Sequence, residues 1–160
     1  MTRTEEQQAT IELAGISIRT TNNEEAGPGG RIPGLWDAYF QSNILEHLDA
    51  ANPHLIYGLY TDYESDANGA YTLLLGHEKG NSAPESLENY DQAVIPASRY
   101  LVFKTKKGPF HEVVPQAWIE IWTYFESSSI ERAYTGDYEL YDTRNFNPNE
   151  VEIEIYIAVK

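Results

Sequence analysis

The apolar positions of the chain change period from segment to segment, and these changes outline its elements. Residues 10–21, TIELAGISIRTT, alternate: Ile11 with Leu13, then Ile16 with Ile18. That is the pattern of an extended segment, and the slip in the alternation predicts a bend at Gly15. Residues 22–30, NNEEAGPGG, have the composition of a loop. Pro33 suits the first turn of a helix, where its missing N–H costs nothing, and Leu35, Trp36, Tyr39, Phe40 and Asn43 follow helical spacing. This helix is expected to run into ILEHLD and to stop before Asn52-Pro53. The aromatic stretch 55–65, LIYGLYTDYES, predicts a strand. DANG at 66–69 carries the Asn-Gly hairpin signature, and 70–79, AYTLLLGHEK, reads as the returning strand.

A polar connector over 80–89 separates this run from a second one of the same order. Residues 90–107 are extended with a bend around Pro96. Gly108-Pro109 ends that segment, and a helix starts at Pro115 with Val114, Trp118, Ile121, Trp122 and Phe125 on its buried face. Residues 131–142 predict a strand and 143–150 a loop. Residues 151–160 read as a strict strand, with Val151, Ile153, Ile155, Ile157 and Val159 on one side and Glu152, Glu154 and Tyr156 on the other. Two local likenesses join the halves: IPGLW at 32–36 matches VPQAW at 114–118, and YTDYE at 60–64 matches YTGDYE at 134–139. The expectation is an α+β fold built from duplicated strand-helix-strand-strand units, about 10–79 and 87–160, in a single domain over 1–160. One unit alone would expose an apolar sheet face. Two can join into one antiparallel sheet with both helices on one face and a central groove at the pseudo-twofold axis. Interfaces of this kind commonly hold small molecules.

Composition narrows the possibilities. The 160 residues are 41% apolar and include 12 Tyr, 5 Phe and 3 Trp, enough for a packed core. A net charge of −14 disfavours nucleic acid and anionic membrane as partners and favours cationic ones, besides keeping the chain soluble. Without cysteine there is no disulfide, thiolate metal site or Cys nucleophile. MTRTEEQQATIE contains no apolar run fit for a secretory signal, and no stretch approaches the ~18 apolar residues of a membrane span, so a cytoplasmic protein is expected. The four histidines, His47, His54, His77 and His111, form no ligand pair, and no cofactor or metal is expected. GPGGRIPG lacks the Gly-Lys-Ser/Thr ending of a phosphate loop, and no GxSxG nucleophile elbow occurs. Arg99, Lys104, Lys106 and Lys107 read as a solvated strand edge.

The aromatic residues are the candidate chemistry. Trp36, Tyr39, Trp118 and Trp122 start the helices or face inward, while Tyr57, Tyr60, Tyr71, Tyr134 and Tyr156 lie on strands. Core packing explains any one of them. As a group, the excess of Tyr over Phe suits an amphipathic pocket, because a buried hydroxyl needs a partner. Glu139 lies mid-strand in YTGDYELYD. Thr135, Asp137, Glu139 and Tyr141 share one face, and Tyr134, Gly136, Tyr138 and Leu140 the other. Either face reads as amphipathic, so periodicity leaves open whether Glu139 meets solvent or the groove. Facing the groove, it would be a carboxylate among rings, which attracts a lipophilic cation through stacking, cation–π contact and charge. Its pKa would rise there. Glu64 is the matching position in the first half on the YTDYE likeness.

The ordered set ISIRTTN, IPGLWDAYF, IYGLYTDYES, YTLLLGHE, VIPASRYLVFKTKKGP, VPQAWIEIW, DYELYD and VEIEIYIAV resembles the GyrI-like, or bacterial effector-binding, domain over residues 11–160. The resemblance implies the duplicated fold with a central groove. It also implies binding of lipophilic, cationic, drug-like molecules between aromatic walls, with an acidic residue on the penultimate strand turned inward, here Glu139. Trp36, Tyr71 and Trp118 match recurrent aromatic positions. Regulators of this type carry a helix-turn-helix domain before the effector domain, and only about ten residues precede the first expected strand here. The chain is therefore similar to isolated drug-binding members found in integron cassettes. The expected ligand-binding set is Trp36, Tyr39, Tyr60, Tyr71, Trp118, Trp122, Glu139 and Tyr156. Other branches suggest alternatives: a hydrolase of cyclopropane-containing toxins, in which Glu139 would act with Tyr71 or Tyr156, or a protein-interaction module of the gyrase-inhibitor type. A homodimer could form if the strand VEIEIYIAV were an uncovered edge.

Overall fold

The computed structural model describes residues 2–81, 89–144 and 146–160, so most of the connector expected over 80–89 lies outside the described residues. Strands β1 (Thr2–Gln8), β2 (Ile11–Thr21), β3 (Leu55–Thr61), β4 (Ala70–Glu78), β5 (Asp91–Ile95), β6 (Ser98–Lys104), β7 (Asp137–Asp142) and β8 (Glu154–Val159) form a single sheet. All neighbours are antiparallel, in the order β1-β6-β8-β7-β3-β4-β2-β5. Four helices complete the fold: α1 (Asn22–Ala26), α2 (Ile32–Ser42), α3 (Ile44–His47) and α4 (Phe110–Ser127).

The duplication is written in the hydrogen-bond register. Reading outward from the centre, β3-β4-β2-β5 on one side mirrors β7-β8-β6-β1 on the other. Tyr57 faces Gly76 in the first half as Tyr138 faces Tyr156 in the second. Leu13 faces Glu78 as Tyr100 faces Ala158, and Ile11 faces Ile95 as Ser98 faces Gln8. The same correspondence pairs Gly58 with Glu139 and Tyr60 with Tyr141. Gly58 and Glu139 are also direct neighbours across β3 and β7, so the axis passes between them. This overturns the YTDYE likeness as a guide to equivalence: the counterpart of Glu139 is Gly58, and Glu64 is exposed beyond the end of β3.

The first half begins earlier than the apolar pattern predicts, at β1 instead of near residue 10. β1 is the counterpart of β5, and each of these first strands crosses to the outer edge of the other half. Their connectors are short. Gln8 to Ile11, and Ile95 to Ser98, are each three Cα steps, spanning at most ~11 Å. The two ends of the sheet must therefore meet at one corner, and the sheet curls.

Curling gives the sheet two apolar faces. Leu13, Tyr57, Leu59, Leu74, Ile95, Tyr100, Val102, Tyr138, Tyr156 and Ala158 form one core made of strand residues alone. The other face packs Ala14, Leu73, Leu75, Leu101, Phe103, Ile155 and Ile157 against Leu35, Tyr39, Val114, Ala117, Trp118 and Ile121 of α2 and α4. Both long helices thus lie on one face. The two cores also explain β2. Its ladder with β4 keeps one register from Leu13 to Thr21, without the slip expected at Gly15. Leu13 serves one core while Ala14 and Ile16 serve the other, which imitates a slip in the sequence. Gly15 is needed for close approach, since a Cβ there would stand 2.0 Å from the Leu75 carbonyl oxygen.

Other boundaries move for local reasons. The segment 22–30 contains α1, capped by the Thr21 side chain. The first long helix breaks at Asn43, which is left-handed with φ 51°. α4 starts at Phe110, so Pro115 lies inside it and is exposed, where it removes one helical hydrogen bond. The strand expected from 131 begins at Asp137, after Tyr134 takes φ 54°. VEIEIYIAV is no edge: β8 is flanked by β6 and β7, so it offers no strand to a second copy.

Candidate functional site

The axis of the fold carries a buried acid. Glu139 extends from β7 toward the helices and is 4% exposed. Its carboxylate leans over Gly58, with Oε1 3.4 Å from where a Cβ would stand. Three neutral donors reach it. The Trp118 indole donates to Oε2 at 2.6 Å, the Tyr60 hydroxyl to Oε2 at 3.0 Å and the Tyr141 hydroxyl to Oε1 at 2.6 Å. A carboxylate has about four acceptor sites, so its hydrogen-bonding capacity is mostly used. Its charge meets no cation in any described ion pair. Burial pushes the Glu139 carboxyl above the ordinary glutamate range, although Tyr141, Trp118 and Tyr60 each pull it down. Burial and the adjacent Glu139 drive the hydroxyls of Tyr60 and Tyr141 far upward, so they remain protonated donors.

The walls around the acid come from both halves. Trp118 packs on Tyr60 with ring centroids 5.1 Å apart, and its counterpart Trp36 packs on Tyr141 at 5.0 Å. Tyr71 lies 5.4 Å from Tyr60. Phe110 approaches both Trp36, at 5.8 Å, and Tyr141, at 5.9 Å. The helix starts explain this placement: Pro33 and Pro115 stand the same distance before Trp36 and Trp118, and α2 and α4 flank the axis as equivalents.

Of the eight residues expected to bind ligand, Trp36, Tyr60, Tyr71, Trp118 and Glu139 come together here. Trp122 is next to Trp118, at 6.3 Å, and partly exposed. Tyr39 packs edge-on to Trp36 at 6.1 Å but turns its hydroxyl to His77 Nε2 at 2.5 Å, away from the acid. Tyr156 does not join the group. Period two puts it on the opposite face of the sheet, stacked on Tyr138 at 4.4 Å. A pairing of Glu139 with Tyr156 is therefore excluded, and Tyr57 lies on that far face too. Two members were missed. Tyr141 shares the Glu139 face by period two, a signal present in the sequence. Phe110 was hidden by starting α4 at Pro115.

The rings close over the carboxylate. Open clefts of about 550 Å³ and 310 Å³ lie instead beside Gly34 and Leu35 of α2 and beside Gln116 and Ala117 of α4, and neither is lined by Glu139. A ligand reaching the acid must part the aromatic walls. Among the described residues no group of three His, Cys, Asp or Glu could hold a metal, and no helix is long and apolar enough to cross a membrane.

Known proteins share this framework. A Bacillus subtilis (strain 168) protein, YobU, named provisionally as a transcriptional regulator, is 38% identical over 151 residues, covering 92% of this chain and 91% of its own. The crystal structure of an integron cassette protein from the mobile metagenome of Vibrio cholerae, VCH_CASS2, superposes with a TM-score of 0.75 at 29% identity, covering 99% of this chain and 95% of its own. SAV2435, solved bound to tetraphenylphosphonium, superposes with a TM-score of 0.77 at 22% identity, covering 100% and 94%. The model of the integron-associated effector binding protein family, Cass2, matches residues 6–159. The chain belongs to this effector-binding family and has the GyrI-like fold.

Proposed function

We propose that the chain binds a lipophilic organic cation at the pseudo-twofold axis, between Trp36, Phe110 and Tyr141 on one side and Trp118, Tyr60 and Tyr71 on the other. Glu139 selects the charge. The observation that carries this reading is an acid only 4% exposed that accepts neutral donors alone. A carboxylate kept buried without a cation is unfavourable unless something supplies one, and a cation arriving with its own apolar surface does so while gaining cation–π contacts of about 0.5–2 kcal/mol per ring. The tetraphenylphosphonium seated in the similarly folded SAV2435 is a molecule of this class.

Isothermal titration with tetraphenylphosphonium tests the proposal. The wild-type chain is expected to bind in the micromolar range. Glu139→Gln keeps an acceptor for Trp118 and Tyr60 and should lose at least about tenfold in affinity, or 1.4 kcal/mol. No binding at millimolar concentrations, or equal binding by the variant, would end this reading.

A further inference from the structure

The binding surface is doubled although the acid is single. From Glu139 two rows of rings lead outward to solvent. One runs from Tyr141 to Trp36 and then to Phe40, with centroid steps of 5.0 Å and 6.0 Å. The other runs from Tyr60 to Trp118 and then to Trp122, with steps of 5.1 Å and 6.3 Å. The outermost pairs are also set alike, Trp36 and Phe40 at 31° and Trp118 and Trp122 at 41°. Phe40 stands four residues after Trp36, as Trp122 does after Trp118, so the two outer rings are counterparts across the axis.

These outer rings are costly where they are. Phe40 is 63% exposed and Trp122 37% exposed, on helices whose other faces supply the core. One isolated apolar residue at a surface calls for no explanation. Two related by the axis that carries the acid, each in ring contact with an inner tryptophan of the wall, point to one shared occupant. Resting on the cation-binding reading above, we infer that the preferred ligand is a monocation whose charge lies centrally between two planar aromatic arms, one along each row, with Phe40 and Trp122 forming an outer subsite for the arm ends. Its central charge sits at the axis with Glu139. Gly58, the counterpart of Glu139, supplies no second acid, so one positive charge is matched and two are not. An amphiphile with a single tail can use only one row at a time.

The two ligand shapes respond differently to loss of one row. Affinities are measured by equilibrium dialysis for acridine orange, a two-armed monocation, and tetradecyltrimethylammonium, a one-tailed monocation with the same number of carbons. The variants are Phe40→Ala, Trp122→Ala and the double change, all at exposed positions. For acridine orange each single change is expected to cost about 3–10-fold, the worth of an aromatic contact, and the double change their product. The single-tailed cation is expected to lose only about twofold from either single change, the statistical factor for one of two equivalent seats, and to fall further in the double variant. Acridine orange responding to just one of the two rings would overturn the inference. So would equal single-variant losses for both ligands, or sedimentation of the wild type as a dimer that Phe40→Ala and Trp122→Ala dissociate. Tetraphenylphosphonium binding that depends on Glu139 while these patterns fail would remove the two-armed ligand and leave the cation site standing.

Discussion

Two carboxylates on the same face of β7 are buried in opposite ways. Asp137 is fully buried and lies 2.7 Å from the Arg132 guanidinium, itself 7% exposed. It also accepts from the Tyr63 hydroxyl and, at 2.8 Å, from the Ala158 N–H. Glu139, the next residue on that face, is buried nearly as deeply and has neutral donors instead of a cation. Both charges have left water, and both have hydrogen bonds. Among the described residues, only Asp137 has a neutralising charge beside it. The difference teaches what each is for. The Asp137–Arg132 pair is a finished piece of structure that ties the entry of β7 to β8. On the proposed function, the Glu139 site is the one that a cation from outside completes.

The comparison breaks most visibly in stability. Asp137→Asn leaves Arg132 buried without its counter-charge, and urea unfolding is expected to show a loss of about 3–5 kcal/mol. Glu139→Gln removes a charge that had no partner and keeps the acceptor side of the hydrogen-bond set. Its stability at neutral pH should equal or exceed that of the wild type. A loss at Glu139→Gln as large as that at Asp137→Asn would mean that the two acids play the same structural part.

pH sharpens the contrast. The folded-state pKa of Glu139 lies above its unperturbed 4.5, so the folded chain holds this proton more tightly than the unfolded one. Stability therefore falls as pH rises from 4.5 through the raised value, and the unfavourable ionisation persists above it. The advantage of Glu139→Gln over wild type should shrink on acidification through that window, read from urea titrations at a series of pH values. Tetraphenylphosphonium affinity should decline over the same window as the carboxyl gains its proton. Affinity that stays flat down to pH 4.5 would detach the charge of Glu139 from binding.

Much of this was legible in the chain because the relevant signals are local. The prolines before Trp36 and Trp118 locate equivalent helix starts, and period two along β7 and β8 sorts Glu139 from Tyr138 and Ile155 from Tyr156. What was hidden depends on partners distant in sequence. β1, TRTEEQQ, has no apolar pattern because residues 3–7 are exposed and the strand is held chiefly by its ladder to β6. The direction of Glu139 was undecidable because both faces of β7 meet a core, so each side of the strand carries apolar residues. Equivalence between the halves was misread for a related reason. YTDYE and YTGDYE look alike, but the likeness compares a strand end running into a turn with the approach to a strand. Register is a property of paired strands, and with a core on both faces of β7 the apolar pattern specifies it weakly.

That misreading makes the smallest prediction the most pointed about symmetry. If YTDYE and YTGDYE were structural counterparts, Glu64 would be a second acid at the cation site and Glu64→Gln would weaken binding as Glu139→Gln does. The ladder instead gives Glu139 the counterpart Gly58, while Glu64 is exposed in the turn that follows β3, with its N–H donating to the Ala70 carbonyl at 2.8 Å. An exposed charge there is screened by salt. Glu64→Gln should leave stability within about 0.5 kcal/mol and tetraphenylphosphonium affinity within about twofold of wild type. A tenfold loss in the titration would restore the pairing of the two glutamates and with it a two-acid site, matched to a ligand carrying two charges.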